Sequence, residues 1–182
     1  MRTSVRGALW ARWSLPGLDD DVRREADLRG LREDERPHEV EGDDYKYFGY
    51  FWGGMPDLNF DNQKLREETY KIGRYWLQEV GVDGFRLDAA RHIFPDDREA
   101  DNHEFWKEFK AEMQKAKPDV YLVGEVWAEA DKVAPYTKGL PALFNFEMSW
   151  AILRALKNGN GDSLATIHAQ VMDLYEKQNP DF

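Results

Sequence analysis

The sequence predicts an α/β fold in which helices flank a parallel sheet. Strands are predicted over residues 82–90, 119–127 and 140–146, and segments with apolar residues at helical spacing alternate with them. Alternation of this kind requires right-handed crossovers and a parallel sheet. Two of the strands carry a carboxylate near the carboxyl end, Asp88 and Glu125, which predicts a site at that edge of the sheet.

An aromatic run and a helix precede the first of these strands. The run over residues 45–52 contains Tyr45, Tyr47, Phe48, Tyr50, Phe51 and Trp52. We favour a strand packed against the rim of the sheet, because clustered aromatic side chains are more often core than site. A helix is predicted over residues 62–80, with Asp61 or Asn62 as its N-terminal cap and Gly81 as its end. Its apolar positions are Leu65, Thr69, Ile72, Trp76, Leu77 and Val80.

Alternation of side chains along a strand places the charges of the first strand together. Arg86 and Asp88 share one face, and Phe85, Leu87 and Ala89 share the other. In the second strand the face with the carboxylate consists of Tyr121, Val123, Glu125 and Trp127. Two carboxylates at the same end of different strands can converge on one substrate atom.

The helix after the first strand is predicted over residues 102–116. Asp101 and Glu104 form a plausible capping box, and we expect Asn102 to cap the helix and His103 to be solvated. The apolar face of this helix consists of Phe105, Trp106, Phe109 and Met113.

Two further helices follow the third strand. The first runs through Trp150, Leu153 and Leu156 to a turn at residues 159–161. The second begins near Asp162 or Ser163 and ends before Pro180, and its apolar face consists of Leu164, Ile167, Val171 and Leu174.

Composition limits the function classes. Apolar residues at 42% and aromatic residues at 14% indicate a folded chain, although 33% of its 182 residues are charged. The net charge of −10 disfavours nucleic acid and anionic membranes as partners, whereas a neutral polymer is not repelled. No apolar run approaches the roughly 18 residues of a membrane span, and without cysteine there is no disulfide framework.

Residues 1–44 are predicted to be a charged, irregular segment, and residues 45–182 the folded unit. The first 18 residues contain Arg2 and Arg6 but no continuous apolar stretch of a signal peptide. Both a secreted and a cytoplasmic location fit the sequence.

Three segments resemble the signature segments of one enzyme family. They are Gly84-Phe85-Arg86-Leu87-Asp88-Ala89-Ala90-Arg91-His92, Gly124-Glu125-Val126-Trp127 and Met55-Pro56-Asp57-Leu58-Asn59. In this order and spacing they resemble the α-amylase family of glycoside hydrolases (family 13), in particular the group between the oligo-1,6-glucosidases and the neopullulanases. The resemblance implies part of a (β/α)₈ TIM barrel, about strands 4 to 6 with their flanking helices. Part of residues 1–44 is then a remnant of the excursion from the barrel that precedes the Met55–Asn59 segment in the family. The aromatic run over residues 45–52 has a second interpretation as a platform for sugar rings.

The resemblance implies roles for the charged residues of both strands. Asp88 is the expected nucleophile, and Glu125 the general acid and base of a retaining mechanism. Arg86 is expected to keep Asp88 ionised, and Glu125, which has no basic neighbour in its own strand, is expected to have a raised pKa. On the residues alone, a buried structural ion pair and a solvated strand end remain open.

Further contacts to substrate are implied for Arg91, His92 and Trp127, with Arg91 in place of the lysine usual in the family. In calcium-bearing members the residues matching Asp57 and His92 bind a structural calcium, so both are candidates for Ca²⁺ binding. A loop-capping carboxylate at Asp57 and a packed histidine at His92 are the alternatives. No organic cofactor is predicted.

The chain departs from the family pattern in two places. The first and fourth signature segments have no counterpart, and no His-Asp dipeptide occurs in the sequence. A complete barrel takes about 250 residues, so the sequence predicts an internal fragment with unpaired strand edges that is poorly soluble, oligomeric or only partly folded.

The predicted function is therefore that of a fragment of a retaining α-amylase, inactive alone, whose parent cleaves α-1,4-glucosidic bonds of starch or maltooligosaccharides. An oligo-1,6-glucosidase, α-glucosidase or glucosyltransferase relative is the enzymatic alternative. The alternative of another class is a non-catalytic remnant that binds carbohydrate or assembles with a partner.

Overall fold

The computed structural model describes residues 37–39, 46–52 and 54–182. The part described contains a three-stranded parallel sheet, in the order β3-β4-β5, and a separate antiparallel pair, β1-β2. The strands are β1 (Pro37–Glu39), β2 (Lys46–Phe48), β3 (Gly84–Leu87), β4 (Tyr121–Gly124) and β5 (Ala142–Leu143).

Helices precede, connect and follow the parallel strands. They are α1 (Gln63–Tyr75), α2 (Glu99–Ala116), α3 (Ala130–Val133), α4 (Phe146–Asn158) and α5 (Leu164–Gln178). Shorter turns are the π-helical turn Trp76–Val80 and the 3₁₀ turns Asp96–Arg98 and Ala134–Lys138. Strands in sequential parallel order, each followed by helix, form part of a (β/α)₈ barrel, which confirms the predicted fold class.

All three parallel strands are shorter than the sequence predicted. The first ends at Leu87 because the chain turns there, and Ala89 adopts a positive φ of 46° that no strand residue has. The third is confined to residues 142–143, although the Phe144 N–H still donates to the Gly124 carbonyl at 3.1 Å. The sheet edge where the strands end therefore consists of turns.

The core lies between the sheet and its helices. The predicted face of α2 is buried in full, with Met113 having no exposed surface. Leu122 and Val126, on the reverse of the second strand, are also completely buried, as alternation predicted. The aromatic members of the core are Phe60, Tyr70, Phe85, Phe94, Phe105, Trp106, Phe109, Tyr136 and Tyr175.

The ends of α1 confirm one prediction and correct another. The side chain of Asn62 accepts from the Lys64 N–H at 3.0 Å, and Gly81 adopts the left-handed conformation (φ 79°) that ends a helix. However, the α-helix proper stops at Tyr75 and continues as a π-helical turn. This change of pitch rotates Val80 out of the predicted apolar face, and it is 47% exposed.

The predicted capping box of α2 is wrong. The helix begins at Glu99, so Asp101 lies inside it and accepts from Arg98 Nε at 2.6 Å, while Glu104 pairs with Lys107. Asn102 is not a cap but is completely buried.

One part of the aromatic run is packed as a strand would be, and another part is exposed as a platform for sugar rings would be. Phe48 is buried, as a packed strand requires, whereas Phe51 and Trp52 are 46% and 61% exposed. Tyr45 and most of residues 1–44 lie outside the described residues, so the predicted boundary at residue 45 stays a prediction. In the part of the chain that is described, no helix is long and apolar enough to cross a membrane.

Candidate active site

Parallel pairing of β3 with β4 brings the two predicted carboxylates to the same edge. Leu87 pairs with Gly124, so Asp88 and Glu125 are the residues that follow on each strand. The Glu125 N–H donates to the Leu87 carbonyl and the Glu125 carbonyl accepts from the Ala90 N–H, both at 2.9 Å. Backbone hydrogen bonds thus fix the position of Glu125 relative to the strand that carries Asp88.

Arg86 bridges the two carboxylates. Its Nη1 lies 2.6 Å from Asp88 Oδ1, and its Nη2 lies 2.6 Å from Glu125 Oε2. The three side chains are partly buried, with Glu125 the most enclosed at 19% exposure. Charge-assisted hydrogen bonds of this length hold both carboxylates around one guanidinium.

The pKa of Glu125 is raised, mainly because burial disfavours its charged form. A hydrogen bond with the Asp88 carboxylate and the negative charge of Asp88 raise it further, whereas the positive charge of Arg86 opposes the shift. The predicted direction is therefore right. The reason for the shift differs in part from the expected one. Glu125 has no basic neighbour in its own strand, but Arg86 on β3 contacts it.

Two side chains of α2 form hydrogen bonds to the backbone of the segment that follows Asp88. Trp106 Nε1 donates to the Ala90 carbonyl at 2.6 Å. The buried Asn102 accepts from the Phe94 N–H at 2.9 Å and donates to the Phe94 carbonyl at 3.2 Å. Asn102 thus satisfies buried backbone groups near the site, a role that the sequence gave no reason to assign.

Arg91 and His92 lie together against Asp96. Arg91 Nη2 and His92 Nδ1 are each 3.7 Å from Asp96 Oδ1. His92 stacks on Tyr50, with ring centroids 4.1 Å apart, and burial lowers the pKa of its imidazole below the ordinary value. The packed histidine expected as the alternative is thus present, and the contact of both residues with substrate stays a prediction.

Asp57 caps the loop that contains the exposed aromatic residues. One of its carboxylate oxygens, Oδ2, accepts from the Tyr50 N–H at 2.8 Å, and the Asp57 N–H donates to the Phe48 carbonyl at 2.9 Å. Calcium needs six to eight oxygen ligands, and within the described ranges no group of three or more His, Cys, Asp or Glu side chains could hold a metal ion. Backbone carbonyls, amide oxygens and water also bind calcium, so binding of Ca²⁺ by Asp57 and His92 stays a prediction.

Trp127 lies two residues beyond Glu125 in the chain. It is 66% exposed and stacks nearly parallel on Phe146, with centroids 5.0 Å apart and planes 18° apart. The sequence analysis named Trp127 but did not identify its contact with Phe146, nor the contacts of His92 with Tyr50 and Asp96. Of these, only Tyr50 stood in a recognisable pattern, the aromatic run.

Residues 32–180 match the family described as the alpha amylase catalytic domain. The chain belongs to this family. Alpha-amylase 3 of Dictyoglomus thermophilum is 48% identical over 136 residues, which cover 75% of this chain and 27% of that protein. A 4-alpha-glucanotransferase of Thermotoga neapolitana is 35% identical over 148 residues, 81% of this chain and 30% of the relative.

Solved structures agree with the family assignment. The alpha-amylase from H. orenii superimposes with a TM-score of 0.72 at 37% identity, over 85% of this chain and 33% of that structure. The Eubacterium rectale protein Amy13B gives a TM-score of 0.76 at 26% identity, over 83% and 30%. The chain thus spans about a quarter to a third of the length of these family members.

Proposed function

We propose that this chain carries the nucleophile and the acid/base of a retaining α-glucan hydrolase, with Asp88 as the nucleophile and Glu125 as the acid/base. The observation that carries the proposal is the bridging of both carboxylates by Arg86 at 2.6 Å. Retaining glycosidases hold their carboxyl groups about 5 to 5.5 Å apart, whereas inverting enzymes separate them by about 6.5 to 9.5 Å to admit water. Two carboxylates that share a guanidinium and a hydrogen bond support the closer arrangement.

The reaction has two steps. In the first, Asp88 attacks the anomeric carbon while protonated Glu125 gives its proton to the departing glycosidic oxygen, which leaves a glycosyl ester on Asp88. In the second, ionised Glu125 takes a proton from water as the water oxygen attacks the anomeric carbon and Asp88 departs. The raised pKa of Glu125 suits the first step, because it keeps the acid protonated to higher pH.

Arg86 has a different effect on each carboxylate in this mechanism. It lies against Asp88 and favours the ionised state that a nucleophile needs. At Glu125 the same charge opposes protonation, but burial and the neighbouring Asp88 act in the other direction. The raised pKa of Glu125 is in the direction that a general acid requires, and the contact of Arg86 with Asp88 favours an ionised nucleophile.

For the substrate we propose α-1,4-linked glucans, starch or maltooligosaccharides, because relatives named alpha-amylase and maltogenic alpha-amylase match the chain. Arg91, His92 and Trp127 are the proposed contacts to sugar. Transfer to another sugar instead of water is the second candidate, favoured by the match to a 4-alpha-glucanotransferase over 81% of the chain. Both activities share the glycosyl ester and differ in the acceptor.

We further propose that the 182-residue chain alone does not hydrolyse starch. The family's fourth signature segment supplies a third carboxylate, and this sequence has no His-Asp dipeptide. Interactions made in the transition state determine the rate, so two members of a three-carboxylate site leave most of the rate enhancement missing. Binding without turnover, unaffected by Glu125→Gln, would instead favour the non-catalytic alternative.

The experiment that tests the proposal uses an amylase chimera. In it, the 136 matched residues of this chain replace the corresponding segment of Alpha-amylase 3 of D. thermophilum. We expect the chimera to release reducing sugar from soluble starch, and Asp88→Asn and Glu125→Gln each to abolish the release. Rapid cleavage of isomaltose without starch hydrolysis would contradict the α-1,4 assignment, and activity that survives both substitutions would contradict the catalytic roles.

A further inference from the structure

An aromatic pair flanks the catalytic carboxylates on the side of Glu125. Phe146 covers one face of Trp127, and about two thirds of the Trp127 surface remains exposed. A large aromatic ring that is backed on one side and open on the other presents a flat apolar surface to solvent. The pyranose ring of glucose has a matching flat face of C–H groups.

Phe146 is held rigidly at the start of α4. Asn145 caps this helix, and its Oδ1 accepts from the Met148 N–H at 2.9 Å. Phe144 meets the Phe146 ring edge-on at 6.0 Å, and Trp150, one helical turn further, lies 6.1 Å away. Phe146 therefore has two aromatic packing partners besides Trp127.

The aromatic residues around Phe146 also contact Arg86, which bridges the two carboxylates. Phe144 is bonded to β4 through its N–H and the Gly124 carbonyl, and the Arg86 guanidinium lies 5.7 Å from the centre of the Phe144 ring. Trp127 is two residues beyond Glu125, in the irregular segment that follows β4. Through Phe146 and Phe144, ring contacts connect Trp127 to the Arg86 guanidinium that contacts Glu125.

We propose that Phe146 is a positioning residue that holds Trp127 so that its open face stacks on the first sugar of the leaving group. This inference rests on the proposed function, in which Glu125 protonates the departing oxygen. Phe146 touches no reacting atom. Its contribution is to restrict the rotamers of Trp127 before the sugar arrives, so that less conformational freedom is lost on binding.

The first test uses the full 182-residue chain labelled with 5-fluorotryptophan, with the Trp127 resonance assigned from a Trp127→Phe variant. We expect maltoheptaose to shift this resonance. Phe146→Leu is expected to weaken the binding about three- to tenfold, the range of one aromatic pair, while Phe146→Tyr, which keeps the ring, retains it. No shift of the Trp127 resonance in the unmodified chain would overturn the proposal, as would equal affinity of the Phe146→Leu variant.

Phe60→Leu is the matched control for lost packing. Phe60 is 3% exposed and meets Phe105 edge-on at 5.0 Å, in the core between α1 and α2. This variant loses an aromatic contact without altering the surroundings of Trp127. We expect it to bind maltoheptaose like the unmodified chain, and a loss equal to that of Phe146→Leu would show that general destabilisation is the cause.

The second test uses the amylase chimera and two substrates with different leaving groups. With maltohexaose the leaving group is a sugar, and Phe146→Leu is expected to raise KM about three- to tenfold with kcat within about twofold. With α-maltotriosyl fluoride the leaving group is fluoride, and the same variant is expected to be unchanged. Equal effects on both substrates would overturn the proposal.

The two proposals fail in different ways. If Asp88→Asn and Glu125→Gln abolish hydrolysis but Phe146→Leu behaves like the parent on maltohexaose, the positioning role is wrong and the catalytic assignment stands. If hydrolysis survives loss of either carboxylate, the catalytic assignment is wrong, and the response of Trp127 to maltoheptaose still decides whether it contacts sugar.

Discussion

The guanidinium of Arg86 lies 2.6 Å from Glu125, although the two residues are on different strands and 39 positions apart in sequence. A second nitrogen of the same group contacts Asp88 at the same distance. The planar fork of arginine allows this, because its donors point in fixed, divergent directions. One cation therefore contacts both of the carboxylates that we propose to be catalytic.

Replacing Arg86 by lysine is expected to lower kcat/KM of the amylase chimera about 100-fold. Lysine keeps the charge but is a single point donor, so it satisfies one carboxylate and leaves the other without its charge-assisted hydrogen bond, a loss of about 1.5 to 3 kcal/mol. The measurement is initial-rate kinetics on soluble starch. A variant within about threefold of the parent would show that charge alone, and not bridging geometry, matters here.

The pKa of Glu125 is expected to fall when Asp88 is replaced by asparagine. Asp88 raises this pKa through its hydrogen bond and its negative charge, and both contributions disappear with the amide, while the opposing charge of Arg86 remains. Carboxyl-carbon NMR of the chain, with Glu125 assigned from Glu125→Gln, measures the change. An unchanged pKa in the variant would mean that burial alone causes the shift, and a higher pKa would contradict the effect assigned to Asp88.

The same shift predicts the pH dependence of the chimera. The general acid must be protonated, so activity is present below the pKa of Glu125 and is lost as pH rises through it. A raised pKa moves this alkaline limb upward. Cleavage of α-maltotriosyl fluoride needs less help from an acid, so its kcat/KM should fall less steeply with rising pH than kcat/KM for maltohexaose. Identical pH profiles for the two substrates would contradict the role of Glu125 as the acid.

The position of Asp88 and Glu125 at one edge of the sheet could be predicted from sequence, because both residues directly follow strands whose alternation is visible. In β3 the buried Phe85 and Leu87 define one face, and Arg86 must then lie on the other. Phe146 carried no such signal, since its partner Trp127 is 19 residues away and their contact depends on the angle between β4 and α4. The secondary-structure propensity of a single segment contains no information about the angle between a strand and a helix.

The misplacement of Asn102 has a specific physical cause. Asparagine near a predicted helix start is usually a cap, but α2 begins at Glu99 without a side-chain cap, which moves Asn102 into the helix and under the loop after β3. The turn at Ala89 was equally invisible, because a positive φ is expected at glycine and not at alanine. Tertiary contacts determine both positions.

Asn102→Ala is expected to lower the free energy of unfolding by about 2 to 3 kcal/mol. The substitution leaves the buried N–H and carbonyl of Phe94 without their partner, and each unsatisfied group costs about 1 to 3 kcal/mol. Urea denaturation of the chain measures the loss. Asn160→Ala is the control, because the exposed Asn160 accepts from the Asp162 N–H and its loss should cost less than about 1 kcal/mol.

Gly84→Ala is expected to disrupt the sheet that carries the site. A Cβ at this position would lie 1.8 Å from the Tyr121 carbonyl oxygen, well inside contact distance, and the obstacle is backbone of the paired strand. The β3 and β4 strands must separate, which should cost about 3 kcal/mol or more. Gly161→Ala is the control, since the nearest atom to its Cβ would be a Leu164 side-chain carbon at 3.4 Å.

Because Gly84 lies on the same face as Arg86, the separation also moves the guanidinium away from Glu125. Circular dichroism and urea denaturation of both glycine variants measure stability, and carboxyl-carbon NMR reports on Glu125. We expect Gly84→Ala to lose stability and, in any folded fraction, to change the pKa of Glu125, while Gly161→Ala changes neither. A Gly84→Ala chain as stable as the parent would contradict the close pairing of β3 with β4 on which the position of both carboxylates depends.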